Sequence, residues 1–136
     1  MICRGTWTPL LPVRVRSVVV GVLPLHLLVW GIDYILPGDP SDVYTVVERA
    51  MPLWAWGSLC VLAALLIAAG YLGRWPRPAI WGYWLGGCTY LVIAIGQMVS
   101  VVSAPWWDGI RGPVGLLVIA TAFFGMSIGY AQQSEG

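Results

Sequence analysis

Charge is what this sequence has least of. Seven basic and six acidic side chains amount to 10% of its 136 residues, where an ordinary soluble domain carries about 25%. A soluble protein of this size has to cover its surface with polar groups, and here there are too few to do it. Lysine is absent, and all seven basic residues are arginine. The formal net charge of +1 leaves no basic surface to follow a phosphate backbone, so no nucleic-acid partner is expected. Histidine occurs once, at His26. One imidazole is too little for a metal site, and no cofactor is expected. The three cysteines cannot all pair, and Cys60 and Cys88 lie inside apolar runs, where a free cysteine behaves as a small buried hydrophobe. P-loop, H-E-x-x-H and CxxC patterns are also missing. Gly125-Met126-Ser127-Ile128-Gly129 does match G-x-S-x-G. That pattern needs a strand–turn–helix setting with an acid and a histidine downstream, and this copy sits in an apolar run far past His26. The chain reads as non-enzymatic.

What is present is apolar length. Hydrophobic residues make up 59% of the chain and mean hydropathy is +0.80. That is about 80 residues, enough for four spans of about 20 each. Four runs supply them, over 17–36, 53–72, 79–102 and 114–131. In hydrocarbon every backbone N–H and C=O must be satisfied within its own segment, so each run predicts a helix. The first run is longer than a signal-peptide core and no A-x-A-like site follows it, so it reads as a retained helix. The connectors carry Gly and Pro at Pro37-Gly38-Asp39-Pro40, Gly73 to Pro78 and Ser103 to Pro113. Links this short predict an all-α membrane protein, a compact up-down bundle of four transmembrane helices in one polytopic domain.

The arginines orient it. Arg4, Arg14, Arg16, Arg74 and Arg77 fall on one side, and only Arg49 and Arg111 on the other, beside Asp39, Asp42, Glu48 and Asp108. The positive-inside rule then places both termini in the cytoplasm. Aromatics predict two interfacial belts. Tyr34, Trp54, Trp56, Trp106 and Trp107 form the outer one, and Tyr71, Trp75, Trp81, Tyr83, Trp84 and Tyr130 the inner one. In the outer link Asp39-Pro40 resembles a helix start, and Val43, Val46, Val47 and Ala50 recur at helical spacing. They predict a short amphipathic helix lying on the outer surface, with Asp42, Thr45, Glu48 and Arg49 around its other sides.

An ionisable group inside a span is costly and so is a candidate for function. His26 lies near the middle of the first run and Asp33 two turns on, on nearly the same face, with Trp30 between them. Pro24 should free a carbonyl one turn back. On the third run Gly82, Gly86, Thr89, Tyr90, Gln97 and Ser100 fall mostly on one side. His26, Asp33 and Gln97 are the candidate polar lining of a pore or proton path. The plainer alternative has His26 as a neutral packing bond and Asp33 reaching the interface. Gly82 and Gly86 form one GxxxG and Gly125 and Gly129 another. Both suit close helix packing, either within the bundle or between copies.

The layout resembles the small four-span membrane proteins of actinobacterial phages, several of which are holin-like. Arginine-only basicity, the Pro52-Leu53-Trp54-Ala55-Trp56-Gly57 start of the second span and the terse GRWPRP turn at 73–78 carry the likeness. It covers layout across most of the chain and transfers no functional residue. It implies a multi-pass protein of the bacterial inner membrane that self-associates and permeabilises it during phage lysis. The expected partners are lipid and either further copies or another membrane protein. Two other roles fit the same residues, an interaction or anchoring subunit of a larger assembly and a minimal proton or small-solute channel.

Overall fold

The computed structural model describes residues 13–36, 45, 47–103 and 109–135, and every regular element among them is helical. Four α-helices follow in order: α1 Val13–Ile35, α2 Leu53–Leu72, α3 Pro76–Val102 and α4 Arg111–Glu135. A single 3-10 turn, Glu48–Ala50, precedes α2. Three of the helices, α2, α3 and α4, are long and apolar enough to cross a membrane. In α1 the apolar stretch among the described residues is Val20–Ile35.

The second span keeps the limits expected for it, while α1, α3 and α4 start earlier than the apolar runs. In α3 the cause is proline chemistry. Pro76 and Pro78 lie in the first helical turn, where a missing N–H costs nothing, so the Pro-rich turn already belongs to the helix. Only the three residues Gly73, Arg74 and Trp75 remain as connector. They close in a Schellman-type arrangement, with Trp75 N–H bonded to Gly70 O at 2.8 Å and Arg74 N–H to Tyr71 O at 3.3 Å. Arg74 takes the left-handed position, φ 51°, where glycine is usual. α1 runs unbroken through the buried Pro24.

Successive helices pack as antiparallel neighbours, α1 on α2, α2 on α3 and α3 on α4. Small residues set the spacing. A Cβ on Gly57 would lie 2.5 Å from Gly31 O, and one on Gly31 2.9 Å from Gly57 O, so α1 and α2 cross backbone to backbone. α2 and α3 meet the same way where Gly70 faces Ala79 and Gly82 faces Ala63 and Ile67. Gly86 receives Leu27 from α1 and Phe123 from α4, each 3.0 Å from a Cβ placed there. The Gly82/Gly86 pair therefore serves packing within the chain.

Most of the expected outer amphipathic helix, with Asp39, Pro40, Asp42, Val43 and Val46, lies outside the described residues. What is seen is the short turn Glu48–Ala50, held by Thr45-x-x-Glu48 as a capping box. Thr45 N–H donates to Glu48 Oε2 at 2.8 Å, and Glu48 N–H donates to Thr45 Oγ1 at 3.3 Å. Val47 seats on Gly96 of α3, its Cβ 2.6 Å from where a Cβ there would lie. Glu48 is thus turned inward and buried instead of standing on a polar outer face.

Candidate functional site

Two polar clusters lie inside the bundle, joined by a file of rings. The first begins at the C-terminal end of α1. Tyr34 donates its hydroxyl to Glu48 Oε1 in a short hydrogen bond, and Glu48 is 8% exposed. Tyr34 packs edge-on to Trp30, with centroids 5.9 Å apart. Trp30 in turn stacks on His26 at 5.9 Å, because one helical turn separates the three positions along α1. From α3, Tyr90 packs edge-on against both His26 and Trp30, at 5.4 and 5.9 Å. The Tyr90 hydroxyl and His26 Nδ1 are 2.6 Å apart and share a hydrogen bond. The only imidazole of the chain is therefore partnered across the α1–α3 contact.

The second cluster lies at the opposite end, beside the α2–α3 turn. The Tyr71 hydroxyl bonds Tyr83 at 3.1 Å and Tyr130 at 2.5 Å, tying α2, α3 and α4 together. Tyr83 and Tyr130 are 0% and 1% exposed. Buried phenols need such partners, since an unpaired hydroxyl out of water costs about 1–3 kcal/mol. Between the clusters stands Phe123, 5.7 Å from Tyr83 and 5.6 Å from Tyr90 by ring centroid, in the space Gly86 leaves.

The sequence candidates divide on this map. His26 joins the first cluster. Asp33 stands exposed on α1, one residue from the buried Tyr34–Glu48 bond. Gln97 lies two turns beyond Tyr90 on α3, its Oε1 facing the start of α4, 3.5 Å from a Cβ placed on Gly112. The three do not share one site. Thr89 and Ser100 donate back to their own helix, to Leu85 O at 2.9 Å and Gly96 O at 3.1 Å. Ser127, of the G-x-S-x-G pattern, is buried and donates to Ile80 O of α3 at 3.2 Å. Of the second GxxxG, Gly129 is half-buried, while Gly125 is exposed with nothing within 4 Å of a Cβ.

Two groups of residues assigned to interfacial belts belong to the interior. Tyr83 and Tyr130 are core, and so is Trp56, whose indole Nε1 is buried with no hydrogen-bond partner among the described residues. Trp54, Trp75, Trp81 and Trp84 do face outward; Trp106 and Trp107 lie outside the described residues. Glu48, expected on the polar side of the outer helix, belongs instead to the first cluster. Its signal was present in the T-x-x-E spacing from Thr45, which marks a carboxylate turned back onto the chain. Cys60 is buried as expected, while Cys88 is only half-buried.

Comparison with protein-family models, curated proteins and solved structures returns no match.

Proposed function

We propose that the chain is a four-span protein of the bacterial cell membrane, both termini cytoplasmic, that associates with further copies of itself. In this reading the assembled form permeabilises the membrane in a holin-like way. Lipid is the solvent that suits the outer surface. α1 turns Val18, Val22, Leu25, Val29 and Ile32 outward, each more than half exposed, at three- and four-residue spacing. In water such a stripe would be an exposed apolar patch; in a bilayer it is an ordinary lipid-facing side. The apolar run from 17 to the end of α1 at Ile35 extends about 29 Å, close to the roughly 30 Å hydrocarbon core, which supports it as the fourth span.

The observation that carries self-association is the outward side of α4. There Gly115, Val118, Ala122 and Gly125 are exposed, and nothing lies within 4 Å of a Cβ on either glycine. The outward side of α2 instead bears Trp54, Leu62, Leu65 and Leu72. Helices in lipid associate through small residues that let backbones approach, so α4 is the side fitted for a second copy. One copy is filled at its centre by Tyr83, Tyr90, Phe123 and Tyr130. An opening for solutes therefore belongs between copies.

Crosslinking tests the interface. Ala122→Cys should form covalent dimers on oxidation in membranes, Leu65→Cys should not, and Gly125→Leu should suppress the Ala122→Cys product. Equal crosslinking at both positions would remove the α4 interface. The permeabilising role is checked by controlled expression in a bacterium, where it requires collapse of the membrane potential. Cells that keep their potential and viability at high membrane levels of the protein would refute that role.

A further inference from the structure

We propose that the interior of a single copy is a gated proton pathway, with the Phe123 ring as its gate. It uses groups the self-association reading leaves idle: the buried Glu48, a histidine and five phenols, three of them fully buried, along the bundle. It rests on membrane insertion and is independent of contact between copies.

The pathway has three stations. At the end formed by the α1–α2 link, the Glu48 carboxyl accepts from Tyr34. In the middle, His26 Nδ1 pairs with the Tyr90 hydroxyl at 2.6 Å. At the far end, the Tyr71 hydroxyl joins those of Tyr83 and Tyr130. Each station can take a proton on one side and release one on the other. A phenol does so through its single oxygen, and an imidazole through its two nitrogens. Rotation of the hydroxyl or exchange of the imidazole tautomer then restores the starting state, so one proton crosses and no group is consumed.

Ionisable and hydroxyl groups are expensive at membrane depth, and packing alone would be better served by Phe and Leu at these positions. Their placement in one line is what a relay requires. Two intervals separate the stations. Between Tyr34 and His26 lie two turns of α1, about 12 Å, beside the Trp30 ring, which contacts Tyr34, His26 and Tyr90. An indole cannot relay a proton, so water carries it past this ring, which is half-buried where Phe123 is fully buried. Between Tyr90 and Tyr83 lie about 10 Å of α3, and here the occupant is the apolar ring of Phe123, with Leu27 beside it over Gly86. An apolar constriction between polar segments blocks conduction by keeping water out and opens when it wets. Phe123 and Leu27 come from the two outermost helices, α4 and α1, so a small movement of either helix admits water between Tyr90 and Tyr83.

The test is proton flux into liposomes holding the full chain, driven by a potassium potential and read with an internal pH dye. Insertion is established first by resistance of the protein to alkaline extraction. Failure of that step would refute the membrane reading itself. With insertion established, Phe123→Ala should raise proton flux at least about tenfold over the unaltered chain, equivalent to about 1.4 kcal/mol off the barrier. Phe123→Leu, which keeps the plug apolar, should leave it low. Adding His26→Ala or Tyr90→Phe to Phe123→Ala should return flux to the starting level. Gly125→Leu, aimed at contact between copies, should change none of these results. Phe123→Ala flux equal to that of the unaltered chain would overturn the pathway. So would Phe123→Ala flux that persists without His26 or Tyr90, or that is matched by potassium leak, because each describes a non-specific defect.

Discussion

Adding one methyl group at Gly57 tests how the first two helices are held together. The added Cβ would lie 2.5 Å from Gly31 O, 2.7 Å from Ile35 Cγ1 and 3.1 Å from Tyr34 Cβ. Ordinary carbon contacts begin near 3.5 Å, so α1 has to move outward by about an ångström. The Ile35 side chain can relax by rotamer change, but the Gly31 carbonyl is backbone and cannot. Overpacking of this kind costs about 1–3 kcal/mol. The shift also pulls Tyr34 from Glu48, and a buried carboxyl left short of a partner costs about 1–3 kcal/mol more. Against this, replacing glycine by alanine inside a helix gains about 0.5–1 kcal/mol. Gly125→Ala carries that gain alone, because nothing lies within 4 Å of its Cβ. The difference between the two variants cancels the propensity term, and about 2–6 kcal/mol is expected in favour of Gly125→Ala. Reversible unfolding in mixed micelles, followed by tryptophan fluorescence, measures it. If Gly57→Ala is no less stable than Gly125→Ala, the close α1–α2 crossing is wrong.

Three further outcomes follow from the same geometry. Tyr34→Phe and Glu48→Gln should each lower stability by about 1–3 kcal/mol, and their combination should cost clearly less than the sum, because both remove one interaction; additivity in the unfolding cycle would mean the two side chains act separately. Arg74→Gly should raise stability by about 1 kcal/mol, since glycine fills a left-handed position without the steric cost arginine bears; an unchanged or lowered unfolding midpoint would contradict the turn geometry. Tyr130→Phe should cost about 1 kcal/mol through loss of its bond to Tyr71, and a neutral result would show that the three-phenol cluster contributes nothing to holding α2, α3 and α4 together.

Much of the helical layout was legible in the sequence because apolar length and Gly/Pro punctuation are local properties. The second helix falls where its run predicts, and the others extend past theirs because Pro76, Pro78 and Arg111 are acceptable in a first helical turn. The candidate site was legible only in fragments. His26 stood out as an ionisable group within an apolar run, but Tyr90, 64 positions away, carries no local mark of being its partner. Tyr83 and Tyr130 looked like interfacial rings, since a phenol near the end of an apolar run reads the same whether it faces lipid or another phenol. Glu48 looked like a surface charge because its burial depends on the link folding back to Tyr34 and on Val47 finding the bare backbone of Gly96.

The sequence by itself determined that these segments are helices, about where they begin and end, and that most of their surface is apolar. Those outcomes follow from composition and from backbone hydrogen bonding, which act within a segment. Only the tertiary structure decided which glycines are spent inside the chain and which, such as Gly115 and Gly125, are left open. It alone assembled the two polar clusters, Glu48 to Tyr90 and Tyr71 to Tyr130, and put Phe123 between them. The physical reason is that a helix presents its residues to every side alike. Which side meets which neighbour is chosen by the close crossings at Gly31, Gly57, Gly82 and Gly86, and those depend on pairs of helices together.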